Sequence, residues 1–456
     1  MLIKQRNWKL ALLAGVAVMT AACDSDETSS DAAAYIQFYN ASPNSVATHL
    51  VLDEHAYTAV EFSDALPRYQ YALGEAEASI RGYDAGGDTV ELHEFSLDLK
   101  DGDNHLFVLI GDYESSEYLD IRYERSEMDE INDDANSDES KMQILAVHGA
   151  MDEGAYDLYL AKAGSSFSEA ELLGSLSYKE NTEAVMLDTG EYVLYLTEPG
   201  ESQPVFHTST MVLTSETVNK LVLHNSFGPG EPKLVVDNVD STGTPVGYVN
   251  QDADAEFRVY NAMNQARSLD LQLSSDAQNI NLEALSPHTL SDFSAIDYND
   301  YGVSVFNAGS ADLLANNLLV TFNQDESKTL VIYDNKAGET LGMTIAHDHR
   351  PNAFEHTLTV ANLIDTYDSL DLYLVRDGET IDTAAYKLTY LNFTELAQIN
   401  LPTGDYDISL VHKEDNGTLT LVYQSDAQAI DQTGNYTLVL SRDETQPLGH
   451  RAMLFQ

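Results

Sequence analysis

The sequence predicts an all-β chain built as four tandem immunoglobulin-like β-sandwich domains after a signal peptide and an acidic tether. Three observations carry this reading. Short runs alternate apolar and polar residues with period 2 and are rich in Val, Leu, Ile, Tyr and Thr. Clusters of Gly, Pro, Asn and Asp separate those runs at regular intervals. One pattern recurs four times along the 456 residues, a length that suits about three or four domains.

The N-terminus comes first. Lys4, Arg6 and Lys9 precede a charge-free apolar run from Leu10 to Ala22, whose 13 residues fall short of the roughly 20 a membrane-spanning helix needs. Ala21 and Ala22 lead into Cys23, the chain's single cysteine. This resembles the lipobox of bacterial lipoproteins, with Thr20 where that pattern prefers Leu. The resemblance implies that residues 1–22 are removed and that Cys23 is acylated and anchors the chain to a membrane. Residues 23–34 are small, polar and acidic, with nothing to bury, and read as a flexible tether. By resemblance to enteric lipoproteins, Asp24 favours the inner membrane, a rule that varies between bacteria. The expected location is the cell envelope, with the outer membrane ahead of the inner.

The four units run over 35–125, 142–250, 256–350 and 356–456. Their first strands contain YIQFYNAS, MQILAVHGA, EFRVYNAM and HTLTVANL, and their second strands HLVL, DLYL, DLQL and DLYL. Asn40 to His49, His148 to Asp157, Asn261 to Asp270 and Asn362 to Asp371 are each nine residues apart. Later in each unit a turn opens a further strand at Gly74, Gly190, Asn299 and Gly404, read as left-handed turn positions. A strongly apolar strand follows (HLFVLI, KLVLH, TLVIY, TLVLS), then a weaker one. The acidic stretch 126–141 is expected to stay extended and solvated as a linker, with shorter junctions at GPGEP after Phe227 and at 350–352. Ser166–Leu173 could form one helical turn or two. Projecting modules of this kind would make a semi-flexible rod.

The opening Asn40-Ala-Ser-Pro43, the Asp-headed strand nine residues on and the turn-Gly-x-Tyr strand resemble the bacterial envelope family known as domain of unknown function 4397. The first unit keeps the opening motif best but has His49 where the others have Asp157, Asp270 and Asp371. The likeness implies an extracytoplasmic β-sandwich module and brings no catalytic residue with it.

Composition limits the partners. With 75 Asp and Glu against 23 Lys and Arg the chain carries a formal charge of −52, or −55 without residues 1–22, which repels nucleic acid. One cysteine leaves no internal disulfide and no thiolate-only zinc site. The motifs G-x-S-x-G, H-E-x-x-H, the P-loop and the dinucleotide fingerprint are all absent, so the chain reads as non-enzymatic, with no catalytic residues, no bound cofactor and no metal ligands assigned. A hydrolase assembled from distant residues is the third reading. The second is weak Ca²⁺ binding at domain junctions, by Asp252, Asp254 and Glu256 with Asp101, Asp103 or Asp237–Asp240. His347 and His349 flank Asp348 on one face of a strand, but two ligands make no site and a solvated junction explains them as well. Asp157, Asp270 and Asp371 are expected to accept N–H bonds in the preceding turn. Tyr113, Tyr118 and Tyr123 are either loop contacts for a protein or polysaccharide partner or ordinary strand residues.

Overall fold

A computed structural model describes residues 32–134, 139–431 and 434–456; Cys23, the signal segment and nearly all of the tether lie outside them. In the first unit the strands are β1 (Ala34–Asn40), β2 (His49–Leu52), β3 (His55–Ala56), β4 (Tyr69–Tyr71), β5 (Gly74–Tyr83), β6 (Thr89–Leu99), β7 (Asn104–Ile110) and β8 (Glu117–Arg122). They form two sheets, β4-β1-β7-β8 and β3-β2-β5-β6. Every pair is antiparallel except β1 with β7, which run parallel with Tyr35 opposite Asn104. The same order recurs in the other three units. Their parallel first-to-seventh pairs are Lys141–His148 with Val218–Asn225, Ala255–Asn261 with Ser327–Asp334, and Glu355–Asn362 with Tyr436–Arg442.

The chain is therefore all-β, with four tandem two-sheet sandwiches of one topology. Strand order refines the immunoglobulin-like expectation. Immunoglobulin sheets divide as ABED and CFG, whereas here the second strand sits between the third and fifth, and the first between the fourth and seventh.

The repeated landmarks are structural. Asn40 ends β1 fully buried; its amide donates to Ser45 Oγ at 2.9 Å and its Oδ1 accepts from Ser42 N at 3.1 Å. Asn261 and Asn362 do the same work, accepting from Met263 N and Ile364 N and donating to the Leu285 and Leu391 carbonyls. In the second unit His148 takes this place and meets the Gly154 carbonyl at 2.8 Å. Tyr192, Tyr301 and Tyr406 each donate to the carbonyl four residues upstream, at 2.8, 3.1 and 2.8 Å, and pin the start of the fifth strand. The left-handed expectation fails beside them: of the four turn residues only Gly74 has a positive φ, at 117°.

Each sandwich has its own core, such as Phe38, Leu50, Ile80 and Phe107 in the first. Two more cores lie between sandwiches. Tyr39, Val108 and Ile110 pack against Leu145, Val147 and Val222, joining units one and two. Tyr260, Val331 and Tyr333 pack against Ala361, Leu363 and Val439, joining units three and four. The first and seventh strands are thus buried on both faces, which is why HLFVLI and KLVLH read as nearly continuous apolar runs. At about 1.5–3 kcal/mol per buried side chain of this size, such seams fuse the units into pairs. Solvated modules on a semi-flexible rod are accordingly not what the residues build.

Two linker expectations also change. Ser126–Asp133 is an α-helix (α1) rather than an extended solvated strand. Met128 is fully buried in the seam between units one and two, and Arg125 pairs with Asp129 at 2.7 Å. GPGEP is no junction: it is the hairpin between Val218–Asn225 and Leu234–Val239, inside unit two. Of Ser166–Leu173, only Phe167–Glu169 is helical, a single 3-10 turn.

Candidate functional site

The repeated aspartates do accept backbone N–H groups, but across strands rather than from the preceding turn. Asp270 receives Ala284 N and Gly309 N, both at 2.7 Å, and Asp371 receives Tyr390 N at 2.9 Å. Ala284 and Tyr390 are left-handed residues (φ 55° and 62°) where the third strand shifts register, so the carboxylate holds a β-bulge in place. Asp157 bonds Ser175 Oγ and Gly200 N. These bonds pull the Asp157 and Asp270 carboxyls below their ordinary range.

The acidic runs stay apart. Asp252 is exposed and lies 3.3 Å from His207, while Glu256 accepts from Ser327 Oγ at 2.7 Å and Asp254 receives Asp325 N on its carbonyl. Asp101 and Asp103 accept Ala33 N and Lys100 N. Among the described residues no three His, Cys, Asp or Glu side chains converge on a point where a metal ion would sit. Tyr113 and Tyr123 are buried, and Tyr118 stacks on Phe95 with centroids 4.5 Å apart.

His347 and His349 share a face and stack at 5.6 Å. His347 meets Thr329 Oγ1 at 2.6 Å. Burial, then Arg258 and His349, push the His347 imidazole down to about 3, and burial lowers His349 as well, so both rings are neutral.

These histidines line a cavity of about 340 Å³ where the two fused pairs meet. Phe62 and Ser63 of unit one, His224, Phe227 and Asp237 of unit two, and Asp325 of unit three complete much of its wall. Asp237 is almost fully buried, and its Oδ2 accepts from Tyr39 Oη at 2.7 Å and Ser63 Oγ at 2.9 Å, with His224 Nε2 at 3.3 Å. Burial alone would raise this carboxyl; His224, Tyr39 and Ser63 outweigh it and hold it below the usual range. Polar bonds close the seam around the cavity. Asp325 accepts from Ser226 Oγ and, at 2.7 Å, from Gly230 N. Arg350 donates to the carbonyls of Pro43, at 3.0 Å, and Ser45, and lies 4.8 Å over the Phe62 ring. Ala353 N reaches the Asn44 carbonyl at 2.9 Å.

Of the sequence candidates, only His347, Asp348, His349 and Asp237 meet here. Phe62, His224, Phe227 and Asp325 carried no motif. A signal did exist: Lys220 and His224 are ionisable residues inside the most apolar strand of their unit, where burial forces them to find partners. Ser63 gives its proton to Asp237, and the Thr329 hydroxyl beside His347 is fully buried, so neither makes an accessible nucleophile–base pair.

No protein-family model and no curated protein matches the chain. Among solved structures it is similar to a leucine-rich repeat protein from Bacteroides thetaiotaomicron at 8% identity and TM-score 0.13, over 42% of this chain and 26% of that one. It thus spans about a quarter of that protein's length. The Bacillus anthracis TIE protein aligns over 90% of this chain and 68% of its own, at 9% identity and TM-score 0.16. A putative cell adhesion protein from Bacteroides fragilis aligns over 42% and 84%, at 11% identity and TM-score 0.13. At such scores the fold rests on the chain's own strand order. Among the described residues no helix is long and apolar enough to cross a membrane.

Proposed function

We propose that the chain is a non-enzymatic cell-envelope protein with a binding, adhesion or scaffold role, anchored by an acyl group on Cys23. The observation that supports this reading is how the ionisable groups are used. The repeated Asp157, Asp270 and Asp371 and the buried Asp237 spend their carboxylates on holding strands or seams. Four copies of one sandwich fused through apolar seams present a preformed surface, and its −52 charge selects neutral or cationic partners such as a protein or polysaccharide.

Fractionation of cells expressing the full chain tests the anchor. Wild type is expected with the membranes and Cys23→Ser in the soluble fraction; equal membrane retention of both overturns the lipid anchor. Crosslinking in intact cells, followed by identification of the captured species, then tests the binding role.

A further inference from the structure

The seam between units one and two changes character along its length. Val108 and Ile110 of unit one and Leu145 and Val147 of unit two form its apolar part. On the same faces, towards the start of each strand, stand Asn104 and Gln143. Here the two units enclose a cavity of about 470 Å³, to whose wall both contribute. Gln143 lines it and is only 7% exposed, yet its Oε1 has no hydrogen-bond partner. A buried acceptor without a donor is costly, and a glutamine's amide torsion is broad, so a small turn presents Oε1 to a donor in the cavity. Asp103, Glu124 and Glu183 add acceptors to the wall, and among the described residues Arg122 is its one lysine or arginine.

The same place in the other fused pair is closed. Thr357, like Gln143, is the third residue of its unit's first strand, and His347, like Tyr123, directly follows its unit's last strand. There the polar groups satisfy one another. Thr357 Oγ1 donates to Asn400 Oδ1 and Gln398 Nε2 to Thr359 Oγ1, both at 3.1 Å, and the space left is about 140 Å³. Unit two has no such filler: its fourth strand begins only at Val185, and the small Ala184 before it lines the open cavity.

We propose that the cavity between units one and two binds a neutral sugar unit, whose hydroxyls donate to Gln143, Glu124 and Glu183 and accept from Arg122. The wall selects that class. Its acceptors outnumber its donors, so the ligand must bring several O–H groups. Three carboxylates repel an anion, while Arg122 among them opposes a compact cation. Among the described residues no three acids converge on a metal position. A sugar carries no charge, and each of its hydroxyls both donates and accepts. The volume of about 470 Å³ falls within the roughly 300–1,000 Å³ of small-molecule sites. The inference rests on the binding role proposed above and sharpens it, choosing a polysaccharide over a protein as partner.

The test is calorimetric titration of the purified chain with glucose, galactose, mannose and N-acetylglucosamine, with putrescine as a cationic control. At least one sugar is expected to bind saturably, with a Kd of about 1 mM or tighter, and to raise the melting temperature. Gln143→Leu removes the unpaired amide; it should weaken binding about tenfold while the unliganded melting temperature holds or rises. Ala184→Gln copies the filler of unit four and should abolish binding, with the unliganded melting temperature within a few degrees. Absence of saturable binding by all four sugars overturns the proposal. So does equally tight binding of putrescine, or full affinity in either variant. Capture of a protein by crosslinking alongside such a failure would overturn this site and leave the binding role standing.

Discussion

The seams inside each fused pair and the seam between the pairs are built from opposite materials. Between units one and two, and between three and four, the first and seventh strands press apolar faces together: Val108 and Ile110 on Val147 and Val222, Tyr260 and Val331 on Leu363 and Val439. Between the pairs no buried apolar cluster forms among the described residues, and the contacts include carbonyls, carboxylates and Arg350 around a cavity, with Tyr113 edge-on to Phe354 at 5.7 Å. The apolar seams hold by area, whereas the polar seam holds by geometry, which lets a ligand or a proton alter it.

Four substitutions sharpen this contrast. The largest effect is expected from Val331→Asp, which puts a charge into the seam between units three and four; about 5 kcal/mol of stability should be lost in urea unfolding. Next is Lys220, fully buried between units one and two, where desolvation holds its ammonium group down to about 7. Its folded value is lowered, so the unfolded chain binds more protons from about pH 7 to 10.4 and folding gains as pH rises. Lys220→Met should therefore be more stable than wild type by about 4 kcal/mol at pH 7, and the gap should close towards pH 10.

At the polar seam the effects are smaller. His347 is neutral when folded, with a value of about 3, so stability falls as pH drops below the unfolded value of about 6.5. From pH 7.5 to 5 the wild type should lose about 2 kcal/mol more than His347→Phe. Arg350→Ala should cost about 1 kcal/mol, read as faster hydrogen exchange at Ala353 N with no change at Val331. Equal losses of protection at both residues would show that the two seams open as one.

Much of the fold is legible in the sequence, because period-2 runs and fixed spacings survive divergence. His49–Leu52 is the second strand as written, and Asn40 and Asp157, chosen only for their spacing, turn out to mark a strand end and a strand-bridging carboxylate. What stays hidden is which units pair. Lys220 and Asp237 look like solvent-facing residues of ordinary strands, and only the continuous apolar run around Lys220 hints that both faces are covered. Helix α1 was obscured by its acids, although Met128 and Ile131, three apart, lie on one helical face. The cavity was least legible, since its wall gathers short pieces of three units that lie far apart in the sequence.

The parallel pairing of β1 with β7 also sets the order in which the chain can fold. Tyr35 must wait for Asn104 before its sheet closes, so the N-terminal strand of each unit is the earliest made and among the last secured. Its outer face then stays bare until Val218–Asn225 arrives to complete the second unit. A chain emerging end first would thus carry an unfinished apolar sheet for more than a hundred residues of growth. That makes the pair, rather than the single sandwich, the smallest piece expected to fold without a chaperone.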